Sequence, residues 1–181
     1  MALTKVQAGM VEATGTPSSS TFLRGDGAWA TSITSGTAVT ASGTSVDFTA
    51  PFTGVKRITV MFQGISTNGT SHMRVRIGSG SLQITGYTSL SVVTNTSNTT
   101  GGITDTTGFV VFSNVATNTL MGQMILTLVS GNIWVASHQI RNSATQISGG
   151  GGDVTLSGVL DRLSLVSTDT FDAGLINILW E

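Results

Sequence analysis

The sequence predicts an all-β protein: an antiparallel β-sandwich of jelly-roll type over residues 36–181, preceded by a short irregular leader over residues 1–35. Three observations predict it. Apolar and polar residues alternate in several short runs, as in His72-Met73-Arg74-Val75-Arg76-Ile77, and a period of two is the mark of a half-buried strand. Gly, Asn and Asp punctuate these runs at short intervals, which suits turns between strands. No segment sustains an apolar helical face, so a βαβ architecture fails and a two-sheet or barrel architecture remains.

Composition agrees. Charged residues make up 9% of the chain, against about 25% in an ordinary domain. Serine, threonine and 23 glycines keep the chain polar instead. These are poor helix formers, and threonine favours strands. The formal net charge of -1 supplies no pull towards nucleic acid or an anionic membrane. The chain has no cysteine, which excludes disulfides, thiolate nucleophiles and cysteine-based metal sites. No apolar run reaches the roughly 18 residues of a spanning helix, and the first residues lack a secretory apolar core.

The elements follow in order. Leu3 to Met10 is a short helix or strand with little to anchor it. Phe22-Leu23-Arg24-Gly25-Asp26-Gly27-Ala28-Trp29 is better defined. Asp26-Gly27 is a strong turn signal, so Phe22, Leu23 and Trp29 are expected on a small hairpin that packs on a neighbour. Arg24-Gly25-Asp26 spells an adhesion tripeptide, but the turn accounts for it. Ala38 to Phe48 reads as an edge strand. Val55 to Ile65 sets Ile58, Val60 and Phe62 opposite Arg57, Thr59 and Met61. His72 to Ile77 sets Met73, Val75 and Ile77 opposite a positive stripe of His72, Arg74 and Arg76. Gln83 to Thr94 is a further strand, and Asn95 to Asp105 reads as a polar loop. Met121 to Val129, Ser130-Gly131-Asn132 and Ile133 to Arg141 form the clearest hairpin. Asn142 to Asp153, ending in Gly149 to Gly152, reads as a loose, flexible loop. Arg162 to Ser167 is a strand, Asp169 to Ala173 turns the chain, and Leu175 to Trp180 closes it with Ile176, Ile178 and Trp180 on one face. Eight to ten strands result.

Two stretches carry a resemblance. Gly15-Thr16-Pro17-Ser18-Ser19-Ser20-Thr21-Phe22-Leu23-Arg24-Gly25-Asp26-Gly27-Ala28-Trp29 resembles the segment that precedes the distal domain in tail fibre and receptor-binding proteins of tailed bacteriophages. Phe171-Asp172-Ala173-Gly174-Leu175-Ile176-Asn177-Ile178-Leu179-Trp180-Glu181 is similar to the closing strand of such tips, and Leu160-Asp161-Arg162-Leu163 to what comes before it. The resemblance covers about a third of the chain and lacks the family's long shaft. It implies a homotrimeric virion protein at the tail fibre or tail tip. Such a protein would contact other phage tail proteins and attach the particle to a host-surface glycan or protein. Phe22, Leu23 and Trp29 would then lie at a subunit contact. The alternative is a structural virion subunit, such as a capsid decoration or tail collar protein.

No motif points to an enzyme, a cofactor or a metal. Gly149 to Gly152 lacks the Lys-Ser/Thr of a phosphate-binding loop. Asp153, Asp161, Asp169 and Asp172 read as turn caps and not as a glycosidase pair. His72 and His138 lack companion ligands. Glycan contact needs aromatic faces and planar polar groups. Trp134, His138 and Arg141 on one strand, Tyr87, and the Arg74 and Arg76 stripe are the candidates. Trp134 faces out with His138 or in with the core; alternation alone leaves both open. Asn95, Asn98, Asp105 and Asn132 join them if their loops gather at one end.

Overall fold

The computed structural model describes residues 14–16, 18, 21–23, 25, 27–31, 33–49 and 52–181. The expected element at Leu3 to Met10, and Arg24 and Asp26 of the hairpin turn, lie outside them. The described chain forms two bodies, residues up to 34 with Glu181, and residues 35–180.

In the first body, β1 (Thr21–Leu23) pairs antiparallel with β2 (Trp29–Thr31), with Leu23 opposite Trp29. Trp29 N–H donates to Thr14 O at 2.9 Å. The expected hairpin is therefore present. Phe22 and Leu23 remain 49% and 40% exposed.

The second body follows β3 (Thr34–Ser35) with β4 (Val39–Thr40), β5 (Gly43–Phe48), β6 (Arg57–Thr67), β7 (Met73–Ser79), β8 (Ser81–Leu82), β9 (Thr88–Asn95), β10 (Thr100–Asp105), β11 (Phe109–Val111), β12 (Leu120–Ser130), β13 (Ile133–Ser143), β14 (Gln146–Thr155) and β15 (Arg162–Trp180). One hydrogen-bonded path runs β10-β9-β14-β13-β12-β6-β15-β7-β11. The sheet curls into a nearly closed nine-strand barrel, which corrects the sandwich expected from sequence. A sandwich needs two separate sheets, and here a single ladder is unbroken.

β15 is the reason. Its first half, from Arg162, lies between β7 and β5, with Leu163 opposite Ile77 and Phe48. Its second half lies between β6 and β4, with Ile176 opposite Phe62 and Val39. The expected turn at Asp169 to Ala173 is instead a bend within this strand. Register slips there, and Gly174 (φ +101°) faces Gly64 (φ +66°) across the ladder. A Cβ on Gly174 would sit 2.5 Å from Gly64 O. Only glycine tolerates both that φ and that approach.

The other end strand, β11, meets the inner face of β9 without a ladder. Val110 N–H donates to Ser89 Oγ at 2.9 Å, and Phe112 N–H to Ser91 Oγ at 3.1 Å. Serines on an inward strand face thus supply the acceptors that a neighbouring backbone would otherwise provide. The three residues 106–108 carry the chain from β10 into β11.

Two more expectations change. Asn95 to Asp105 is a hairpin, because β10 pairs β9 through six residues. Gly149 to Gly152 is no loop but the middle of β14, laddered to β13 and β9 on both sides. The core fills the barrel with Ile58, Val60, Ile65, Val75, Ile77, Met124, Leu126, Ile140, Leu163 and Ile178. The alternation read from sequence in β6, β7 and β13 holds.

Candidate functional site

The structure divides the sequence-predicted candidates. Trp134, His138 and Arg141 share β13, but alternation sends the first two inward with Ala136 and Ile140, and Arg141 outward. Trp134 is 2% exposed. It belongs to the core and has no face on which a sugar could stack, so it leaves the candidate set.

Tyr87 leaves it for the same reason. It too is 2% exposed, its ring meets Phe109 edge-on at 5.0 Å, and its hydroxyl accepts from Ile77 N–H at 3.0 Å and donates to Ile77 O at 3.2 Å. Burial pushes its pKa up to about 12.

The Arg74 and Arg76 stripe is internally engaged. Arg74 Nε donates to Asp105 Oδ2 at 2.6 Å, and Arg76 Nε to Thr107 O at 2.8 Å. Burial pushes the Asp105 carboxyl up, but hydrogen bonds from Thr107 and Arg74 outweigh it and hold the group below its ordinary range. These arginines fasten the 105–108 link to β7.

His138 is 8% exposed, and its Nε2 lies 3.1 Å from Ser91 Oγ. That hydroxyl also accepts from Phe112 N–H, so Ser91 links the imidazole to the Phe112 amide. Burial lowers the His138 pKa to about 4. Asn142 Nδ2 donates to Phe112 O at 2.6 Å, and Ser148 Oγ donates to Asn142 Oδ1 at 2.8 Å. His72 Nδ1 accepts from Ser113 N–H at 3.0 Å. His72 thus holds the Ser113 amide directly, and His138 meets the Phe112 amide only through Ser91 Oγ. This closing seam contains a serine–histidine contact, but Ser91 is fully buried, and among the described residues no carboxylate is bonded to His138 to complete a triad.

The late aspartates also hold structure. Asp161 Oδ2 accepts from Gly80 N–H at 2.9 Å, Asp169 Oδ2 from Ser71 N–H at 2.6 Å, and Asp172 from the Ser66 hydroxyl. Among the described residues no group of three or more His, Asp or Glu is placed to hold a metal ion.

Arg141 remains, and it has company. The β9–β10 tip and the β13–β14 tip meet at one rim of the barrel, tied by Thr96 N–H to Thr145 O at 3.0 Å. Between them lies an open cleft of about 320 Å³ lined by Thr94, Asn95, Thr96, Arg141, Ser143, Ala144, Thr145, Gln146 and Ile147. The tip conformation is set by Asn95, whose Oδ1 accepts from Ser97 N–H at 3.0 Å and Thr99 N–H at 2.9 Å. Asn98 beside it takes a left-handed φ of 60°, a conformation asparagine tolerates. Gln146 also lines a second cleft of about 150 Å³ with Phe112, Asn114 and Gly101. Gln146 Oε1 and Asn118 Nδ2 are the buried side-chain atoms among the described residues that find no partner.

Asn95 and Arg141 therefore gather as sequence allowed, while Asn132, Asp105 and Tyr87 lie on other walls. Sequence reasoning missed Gln146, Thr96 and Thr145. The signal was the short Asn142-to-Gln146 stretch directly after a strand, which reads equally as loop or hairpin. No family model, curated protein or solved structure matches the chain.

Proposed function

We propose that this chain is a contact domain of a tailed-phage fibre or receptor-binding protein, which attaches the virion to a host-surface glycan or protein. The observation that carries the contact role is the rim cleft. Two hairpin tips bring planar amides, hydroxyls, one guanidinium and the aliphatic face of Ile147 together at the barrel end. This is hydrogen-bonding equipment for a polyol, on a shallow surface. The phage assignment is supported by the likeness of Gly15 to Trp29 and Phe171 to Glu181 to fibre-tip segments. A homotrimer follows from that likeness. Three copies would turn three shallow contacts into firm adsorption.

The test is adsorption of labelled protein to host cells and to a panel of surface glycans. Binding to neither defeats the reading. Light scattering at micromolar concentration is expected to give three times the chain mass, and a monomer mass would remove the trimer.

One observation favours the structural alternative. The outward face of β9, β14 and β13 exposes Leu90, Val92, Ile147 and Val135 at 38–48%, which suits a protein neighbour. Many copies on the capsid, and none at the tail end, would select that reading.

A further inference from the structure

We infer that the other end of the barrel carries a binding pocket for a small apolar carboxylate, whose head meets Lys56 and the indole N–H of Trp134. This pocket is separate from the rim cleft and does not rest on the contact reading.

One row of the ladder builds its floor. Leu128 lies opposite Trp134, and Leu128 N–H donates to Lys56 O at 2.8 Å. Ile58 is buried and Arg57 exposed, so alternation gives Lys56 the inward side of Ile58. Lys56, Leu128 and Trp134 therefore stand side by side on the inner face at the barrel mouth. Phe52 and Leu160, both buried, reach the same space from the loops before β6 and β15. The space measures about 170 Å³. Its walls are fastened together. Leu156 N–H donates to Asn132 O at 3.0 Å, and the Asn132 side-chain amide, turned with its nitrogen towards Gly158 O, donates to it at 3.2 Å.

Two donors at this space lack partners. Trp134 is buried, and its indole N–H meets no acceptor among the described residues. A buried indole N–H ordinarily finds one. This nitrogen is not sealed in: the fully enclosed side-chain atoms without partners are Asn118 Nδ2 and Gln146 Oε1. The N–H therefore opens on the pocket that Trp134 lines. Lys56 is exposed and forms no ion pair among the described residues. No carboxylate lines the pocket, so nothing within it competes for an anion. A cation and a neutral donor beside Phe52, Leu128 and Leu160 match a carboxylate carried on a hydrocarbon body. The volume sets the size of that body. A cavity of about 150 Å³ takes a benzene ring, so one six-membered ring or a branched chain of similar bulk fits. A sugar ring would leave its hydroxyls unmet against the apolar wall.

The experiment titrates the full chain with benzoate, cyclohexanecarboxylate and isovalerate, each beside its neutral primary amide. Nuclear magnetic resonance follows the sequence-assigned indole N–H of Trp134. At least one acid is expected to bind and to shift that signal downfield, with its amide weaker by about tenfold or more. Lys56→Gln is expected to lose about tenfold in affinity for the acid, with an unchanged melting temperature, since Lys56 is exposed and unpaired. Trp134→Phe removes the N–H and keeps an aromatic ring, and is expected to weaken the acid about three- to tenfold. Where that variant is too unstable to titrate, Lys56→Gln and the wild-type indole signal decide. Binding of none of the acids at up to about 10 mM, equal binding of an acid and its amide, an unmoved Trp134 signal, or full affinity in Lys56→Gln each overturns the inference. Adsorption to host cells and glycans is read separately, and its failure leaves this pocket standing.

Discussion

The closing seam and the rim cleft are adjacent in the chain and drawn from similar side chains. Asn142 belongs to one, and its neighbours Arg141 and Ser143 line the other. At the seam, Ser89, Ser91, His138, Asn142 and Ser148 are buried, and their hydrogen bonds run to one another or to the backbone of Val110, Phe112 and Ile140. At the rim, Arg141 and Gln146 end on a sulfur atom and on nothing. The seam needs its polar groups because β11 arrives without a ladder. The rim carries no such load: Arg141 stands exposed, and Gln146 Oε1 is buried without a donor.

The largest expected effect tests how tightly the seam is built. Gly150 lies beside His138, and a Cβ there would fall 2.7 Å from His138 Cε1 and 2.1 Å from Leu90 O. On Gly152 it would fall 2.0 Å from Thr88 O. Backbone oxygen cannot give way without parting β9 from β14. Gly150→Ala and Gly152→Ala should each cost more than about 4 kcal/mol, read by urea denaturation. At Gly149 the nearest atom is His138 O at 3.7 Å, an ordinary contact. Gly149→Ala should therefore change stability by less than about 0.5 kcal/mol. Similar losses at 149 and 152 would mean the run is mere filler.

Asn142→Leu comes next. It strands Phe112 O, leaves the Ser148 hydroxyl only its longer bond to Ile140 O at 3.3 Å, and should cost about 2 kcal/mol. A loss below about 1 kcal/mol would show that the seam is not what holds β11.

The third effect is pH. His138 is neutral in the folded protein, with a pKa of about 4 against an ordinary 6.5. Its unfolded form takes a proton first, so the stability from keeping it neutral is complete above about pH 6.5. That stability is lost as pH falls towards 4. The loss is on the order of 3 kcal/mol. His72 shifts the same way, through burial first and then the charge of Arg74. His138→Gln should flatten the stability profile between pH 7 and 4. A profile as steep as the wild type's would move the acid sensitivity elsewhere.

These tests also show why the sequence revealed some regions and hid others. β6, β7 and β13 were legible because Ile58, Val75 and Ile140 alternate with polar neighbours on a half-buried strand. β14 was hidden because four glycines carry no alternation, and backbone crowding by Thr88 O and Leu90 O is invisible in one dimension. The barrel was hidden for two reasons. Ser89 and Ser91 read as solvent-facing polar residues when they are the acceptors that close it. Asp169 to Ala173 reads as a turn when Gly64 and Gly174 let one strand bend through two neighbourhoods. Of the candidate site, Arg141 and Asn95 were visible as residue types. Their meeting depends on the register that sets Gln146 opposite Asn95, which no local pattern encodes.

The smallest effect is the most discriminating. Gln146→Met keeps the length of the side chain and removes an acceptor that has no donor. At the seam, loss of a polar side chain abandons its partners. Here no partner is abandoned from Oε1, and the cost of keeping that oxygen dry disappears. The variant should be unchanged or more stable by up to about 1 kcal/mol, seen as a rise in melting temperature. A variant that is less stable by more than about 1 kcal/mol would put Gln146 with the seam and leave Arg141 alone at the rim.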